Sequence, residues 1–416
     1  MGTVRLPAGV MEVAAELRIP DGAHDLTIIG DGTTLRASAT FRGRAILTCR
    51  GCRKIEMRNL TIDGNRDALE RPLALPGSNQ TFANVFPNNG VLFEDVQGVS
   101  LDRVDFNNIA NFAMLVSHSR DIFLDHLSVK NSGSRNAKGR NNSSGGILLE
   151  EGVESFTIAH STFTNIRGNA VWTHSRYSSP RNQHGKIANN QFFDISRDAI
   201  QIGHAIDVQV NGNRGARIGL NVALVDVEGG GTPVAIDTAG NVESSAYEYN
   251  EFDEINGKCI DLDGFHDGTI RGNKCRNQGR PADYAFGHFG IVFNNANPDM
   301  QSKDILVEDN ELDGMKYGGI FIIGTGHRIL RNRLRHINTA HCNENKQFGC
   351  SVLGEPDVLD TGIYLGSHAE RPAPARANVI EGNTISGWKM KTRCIQAAPG
   401  VKLADNTIKN NTCTDE

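Results

Sequence analysis

One short pattern recurs through the second half of this 416-residue chain: Asn, any residue, an apolar residue, two mostly polar residues, then an apolar one. It reads NQFFDI from Asn190, NEFDEI from Asn250, NELDGM from Asn310, NRLRHI from Asn332, NTISGW from Asn383 and NTIKNN from Asn406. Weaker copies start at Asn213 and Asn273, and successive asparagines stand 23, 37, 23, 37, 22, 51 and 23 residues apart. The short step is a fixed unit; the long steps are that unit with an insertion at one corner. A repeat of this length marks a stacked architecture, because each copy is too small to bury its own core.

About ten residues after each pattern comes a short apolar strand, as in GGILLEE, NAVWTHS, DAIQIGH, KCIDLDG, FGIVFNN, GGIFIIG and TGIYLGS. Few two-residue hairpin turns join these runs, and no apolar stripe at helical spacing is sustained. Several tiny strands per unit with Asn at a fixed corner are what a parallel β-helix requires. Each coil leaves its backbone hydrogen bonds to the next, about 4.8 Å away, and a repeated Asn stacks as an amide ladder. We therefore predict an all-β chain, a single parallel β-helix domain over residues 1–416 with about twelve coils and loop insertions. Residues 1–50 form N-terminal capping coils and residues 403–416 a C-terminal cap.

Composition excludes several functions. A net charge of −5 leaves no basic footprint for nucleic acid. No apolar run approaches the ~18 residues that span a bilayer, so no membrane partner is expected. The opening MGTVRLPAGVMEV reads as a strand already under way, which predicts an upstream leader and a secreted or periplasmic protein. Of the eight cysteines, Cys259 with Cys275 and Cys342 with Cys350 are spaced either for disulfides or for buried thiols. Cys49 and Cys52 have two-residue spacing but no second pair to complete a zinc site.

The repeat resembles that of the right-handed parallel β-helix proteins, the pectate-lyase-like superfamily, over nearly the whole chain. The opening LPAGVMEVAAELRIPDGAHDLTIIGDG and the later LTIDGNR also look like the first coils of that superfamily. The resemblance implies a carbohydrate-active protein whose poly- or oligosaccharide lies along one outer face; it specifies the fold better than the activity.

Side chains alternate across a strand, which assigns that face. In CIDLDG, Ile260 and Leu262 fill the core, so Asp261 and Asp263 point outward together. Other outward positions are Glu94, Ser117, Leu148 with Glu150, Trp172 with His174, Gln201, Asp237, Val292 with Asn294, Phe321, Tyr364 and Gln396. Asp237 falls one coil below Asp261, so three carboxylates lie within about 5–7 Å of one another. Like charges this close raise at least one carboxyl pKa, as acid–base chemistry requires. Asp237, Asp261 and Asp263 are the expected catalytic acid and base or nucleophile, with His204 tuning one of them. Trp172, Phe321 and Tyr364 are expected as exposed platforms for sugar rings, with His174, Gln201, Glu150, Asn294, Arg176 and His266 as further substrate contacts. No cofactor is expected; Ca²⁺ on the aspartates is the alternative use of those oxygens.

The insertions at 66–89, 132–146, 177–186, 280–289 and 339–360 are expected to wall the groove and to bring Arg181, His184, Lys186, Tyr284 and His288 near it. The leading function is glycoside hydrolysis. The polygalacturonase branch uses a comparable Asp trio, but this chain lacks its adjacent Asp-Asp pair and its Gly-His-Gly and Arg-x-Lys motifs. A polysaccharide lyase or uronate epimerase ranks second, because the strands of the face offer almost no Lys or Arg. A non-catalytic glycan-binding or tailspike-like protein ranks third.

Overall fold

Isoleucine, valine and leucine dominate the short strands, and their β-branched or compact side chains suit a pleated surface buried on one face. The computed structural model describes residues 2–344, 347–350 and 358–416. The strands pair parallel with the strand one coil away, and the chain is a right-handed parallel β-helix. It divides into two compact units, Met1–Val208 with Asn221–Gly231, and Gln209–Leu220 with Thr232–Glu416.

In the first unit, Leu47, Val91, Met114, Ile147, Val171 and Ile200 stack in register as one inward row. The next residue of each strand faces outward, giving the row Leu92, Leu115, Leu148, Trp172 and Gln201. Two residues further on, Glu94, Ser117, Glu150 and His174 form a second outward row. Serines serve several corners: the hydroxyls of Ser119, Ser132 and Ser161 accept the backbone N–H groups of Val96, Ile109 and Leu127 on the neighbouring coil. The stretch 182–186, expected as loop, belongs to the strand Asn182–Ala188, which pairs with Glu154–Ala159.

In the second unit Ile236, Ile260, Ile291, Ile320, Ile363 and Ile395 make the inward row. Asparagine takes over the corner. Each Oδ1 accepts both the backbone and the side-chain N–H of the asparagine one coil before, at 2.8–3.1 Å, through Asn213, Asn250, Asn273, Asn310, Asn332, Asn383 and Asn411. The remaining amide hydrogen goes to a backbone carbonyl, as from Asn310 to Ile270 O at 2.9 Å. From Asn250 to Asn383 the ladder is satisfied while buried, which a polar column needs. Its last rung corrects the sequence pattern: Asn411 occupies it, and Asn406 accepts from Asn378 N–H in a separate column.

All eight cysteines are paired, as Cys49–Cys52, Cys259–Cys275, Cys342–Cys350 and Cys394–Cys413. Within the 339–360 insertion, residues 345–346 and 351–357 lie outside the described residues. No helix among the described residues is long and apolar enough to cross a membrane.

Candidate functional sites

The outward rows of the first unit do not form an exposed platform. The stretch Thr81–Phe86, which includes the four-residue helix Phe82–Val85, lies over them. Phe82, Ala83, Phe86 and Phe112 pack with Leu92, Leu115, Leu148 and Trp172 into a second apolar cluster outside the coil. Trp172 is only 8 % exposed and meets Phe82 edge-on at 4.8 Å. Glu150 fastens this cover. Its two oxygens accept the backbone N–H groups of Phe82 and Ala83, each at 2.9 Å. Burial pushes the Glu150 carboxyl up to about 7 in spite of these bonds. The expected roles of Trp172 as a platform and of Glu150 at a subsite give way to packing and anchoring.

Beside this cover a cavity of about 280 Å³ remains, lined among others by Phe82, Trp172, His174, Arg197, Gln201 and His204. Burial holds His174 down at about 4, so its ring is neutral, and its Nδ1 is buried without a hydrogen-bond partner. Arg176 also reaches this cavity, but its Nε binds Glu151 at 2.9 Å and its other nitrogens bind Asn79 O and Ser179. Burial opposes the charge of Glu151, yet hydrogen bonds from Ser179 and Arg176 outweigh it and keep that carboxyl below the usual range. Gln201 accepts from Asn169 at 2.5 Å, and His204 meets the exposed ring of Tyr177 at 4.1 Å. His204, expected beside the aspartates, is thus a wall of this first-unit cavity.

The second unit carries the acidic cluster. Ile236 pairs with Ile260 and Ala239 with Asp263, which sets Asp237 beside Asp261 on the adjoining coil. Asp261 and Asp263 both leave the outward face of the strand Lys258–His266. Asp263 accepts one backbone N–H, from Ala296 at 2.9 Å. Burial and the neighbouring Asp261 charge push its carboxyl up to about 7. Asp261 is 6 % exposed and ion-paired with Lys258 through one oxygen. Its other oxygen is buried with no partner, as is Nδ1 of His288. Burial and then the Lys258 charge hold His288 down at about 3. A buried polar atom left open is where a water or another hydroxyl completes the set.

Lys258 escaped the sequence reading for a definite reason. Strict alternation from Ile260 and Leu262 would turn it inward. The N–H groups of Cys259 and Ile260 both donate to Gly290 O at 3.0 Å, so the strand takes up an extra residue there. Cys259 faces inward to its disulfide, and Lys258 is returned to the outer face. Burial works against the Lys258 charge, but Asp261, Asp237 and Asp263 outweigh it and raise its pKa above the ordinary value. The only sequence signal was the lysine preceding a cysteine at the strand's start.

Three further expectations are corrected. Phe321 and Tyr364 stack on each other at 6.1 Å but are 4 % and 2 % exposed, so neither offers a platform. His266 uses both ring nitrogens within its own corner, on Asp267 at 2.6 Å and Asn241 at 2.9 Å. The hydroxyl of Tyr284 binds Glu254 and Gly279 N–H, a bracing role. Asn294 pairs in register with Asp263, and its Oδ1 accepts the N–H of Asn295 at 2.8 Å. Lys258 already supplies a cation at Asp261, the charge that Ca²⁺ would otherwise bring there.

No protein-family model and no curated protein matches the chain. Among solved structures it is similar to PfbA, a surface adhesin of Streptococcus pneumoniae, at 15 % identity over 81 % of this chain and 84 % of that one, with a TM-score of 0.58. It is also similar to the N-terminal fragment of bacteriophage Phi29 gene product 12, at 10 % identity over 99 % and 66 %, with a TM-score of 0.62. A third likeness is to the family 28 exopolygalacturonase of Yersinia enterocolitica, at 11 % identity over 99 % and 73 %, with a TM-score of 0.52. At such identities the likeness is one of fold: these are right-handed parallel β-helices, and so is this chain.

Proposed function

We propose that this protein is a carbohydrate-active enzyme that hydrolyses glycosidic bonds of a poly- or oligosaccharide at the aspartate cluster of the second unit. One observation carries the reading: Asp263 is held near 7 while Asp261, two residues away on the same face, is paired with Lys258. Environments that separate two neighbouring carboxyls assign them different roles. Asp263, still protonated near neutral pH, gives its proton to the leaving glycosidic oxygen. Asp261 places negative charge beside the oxocarbenium-like transition state, and Asp237 on the adjoining coil activates the water that completes hydrolysis. An acidic cluster suits a neutral sugar ring at the point of cleavage, since it repels a uronate.

Lys258 is the one observation that favours a lyase or epimerase, which would need it as base. A base must be free of its proton near working pH, and the surrounding aspartates favour the charged form of Lys258. Hydrolysis is therefore the stronger reading. Four disulfides agree with a protein that works outside the cytosol.

The test is product chemistry on a panel of neutral and uronic-acid oligosaccharides. New reducing ends without ultraviolet-absorbing unsaturated products support hydrolysis, and unsaturated products would overturn it. Because Asp263 must carry its proton, activity should fall as pH rises through about 7. Asp263→Asn should abolish that alkaline limb along with most of the rate.

A further inference from the structure

Away from both sites, one corner of the first unit gathers two imidazoles and two carboxylates. The strands Gln97–Asn107, Arg120–Asp125 and Glu154–Ala159 are successive neighbours, with Asp102, Asp125 and Ala159 in one register row. His126 and His160 follow that row by one residue, and each turns the corner with left-handed backbone, φ 51° and 47°. The two rings consequently stack one coil apart, with centroids 5.3 Å apart and planes 27° from parallel.

Asp125 bridges them. One of its oxygens is 2.9 Å from His126 Nδ1 and the other 2.8 Å from His160 Nδ1. Asp102, one coil earlier, brings Oδ1 to 3.7 Å from the same His126 nitrogen. Its Oδ2 is held by Arg103, which orients the carboxylate. One ligand atom each of Asp125, His126 and His160 lie within 4.8 Å of one another. Both imidazoles are 51 % exposed, so an ion reaches them from solvent.

We propose that His126, His160 and Asp125 form a binding site for a divalent transition-metal ion of the Zn²⁺ type, which clips two successive coils together, with Asp102 as an outer carboxylate beside it. The donor chemistry selects the ion: imidazole nitrogens with carboxylate oxygens suit Zn²⁺ and its neighbours, and do not suit Ca²⁺ or Mg²⁺. Two imidazole nitrogens and one carboxylate oxygen supply three ligands, and a water takes the fourth position of a tetrahedral set. Asp125 and the nearby Asp102 balance the ion's charge, and each neutral imidazole offers Nδ1 to the ion with its ring proton on Nε2. The alternative, a solvated corner held by two His–Asp hydrogen bonds, uses the same contacts but makes no demand on an ion. The site stands apart from the hydrolase reading and does not depend on it.

The full-length protein, stripped with chelator, is titrated with Zn²⁺ against a chromophoric competitor, and thermal unfolding is followed with and without the ion. One saturable site is expected, with a melting temperature that rises on adding Zn²⁺. His126→Ala and His160→Ala should each weaken binding about 100-fold and remove the thermal shift, and Asp102→Asn should weaken it about tenfold. Excess Ca²⁺ or Mg²⁺ should not compete. Both histidines are exposed, so the metal-free melting temperatures of the variants check that each is folded. Unchanged Zn²⁺ affinity in a folded His126→Ala/His160→Ala double variant, or no saturable binding to the wild type, overturns the site.

Discussion

The outer faces of the two units invite comparison, because both put carboxylates on equivalent pleats and use them differently. In the first unit Glu150 is fully buried, and each of its oxygens accepts a backbone N–H from the segment laid over the sheet. In the second, Asp263 accepts a single N–H, and its neighbour Asp261 keeps one buried oxygen open beside Lys258. Both Glu150 and Asp263 are pushed to about 7. The shared value sits in different surroundings: one carboxyl is closed off as a fastener, and the other stands beside an Asp261 oxygen that is buried without a partner, where the proposed substrate would bind. A perturbed pKa therefore marks burial first, and only open valences beside it mark chemistry.

The sharpest way to break this comparison is by substitution at the second-unit acid. Asp263→Asn should cost about a thousandfold in kcat on the cleaved glycan, the range expected for losing a general acid, with stability unchanged to within about 1 kcal/mol. Steady-state kinetics beside urea unfolding decides it; a variant that keeps its rate would move the chemistry elsewhere. On the first unit the same scale of effect should appear in stability. Trp172→Ala removes the centre of the outer apolar cluster and should cost about 3–5 kcal/mol, read as a lower urea midpoint. Were Trp172 a sugar platform, binding would suffer and the midpoint would hold.

The fastener itself gives a pH signature. The folded-state value of Glu150, about 7, lies above its ordinary 4.5, so its contribution is complete below about 4.5 and is lost as pH rises through about 7. Over that window wild type should lose about 3 kcal/mol relative to Glu150→Gln, whose amide does not titrate. Unfolding free energies of the pair at pH 4 and pH 8 test this; a constant difference would mean that Glu150 ionises freely. The smallest effect concerns the ladder. Asn310→Ala orphans the buried N–H groups of Asn273 and should cost about 2–3 kcal/mol, whereas Asn406→Ala, outside the ladder, should cost under about 1 kcal/mol. Equal costs would show that the ladder adds nothing beyond the coil's own hydrogen bonds.

The parts that were legible in the sequence were those set by a period. The recurring asparagines announced stacked coils, and alternation in CIDLDG put Asp261 and Asp263 on one face with Asp237 beside them. Periodicity failed where the backbone left the period. The extra residue at Cys259 reversed the facing of Lys258, and NTIKNN at Asn406 matched the pattern while Asn411 took the rung. The pairings Cys49–Cys52 and Cys394–Cys413 were also out of reach, since partners are chosen by coil geometry and not by spacing.

By itself, then, the sequence determined the β-helix and, wherever the strand kept its period, which side of the sheet a residue occupies, because a repeat of period 2 within a repeat of about 23 has few other ways to bury its apolar half. Tertiary structure alone decided what lies on that side. Facing outward made Trp172, Phe321 and Tyr364 candidates for sugar contact, and loops or neighbours distant in sequence covered all three. Facing outward also made Glu150 and Asp263 look alike, and only the hydrogen-bond partners delivered from elsewhere in the chain separated the anchor from the proposed acid. Alternation is local, whereas burial and charge depend on which segments return to the same place.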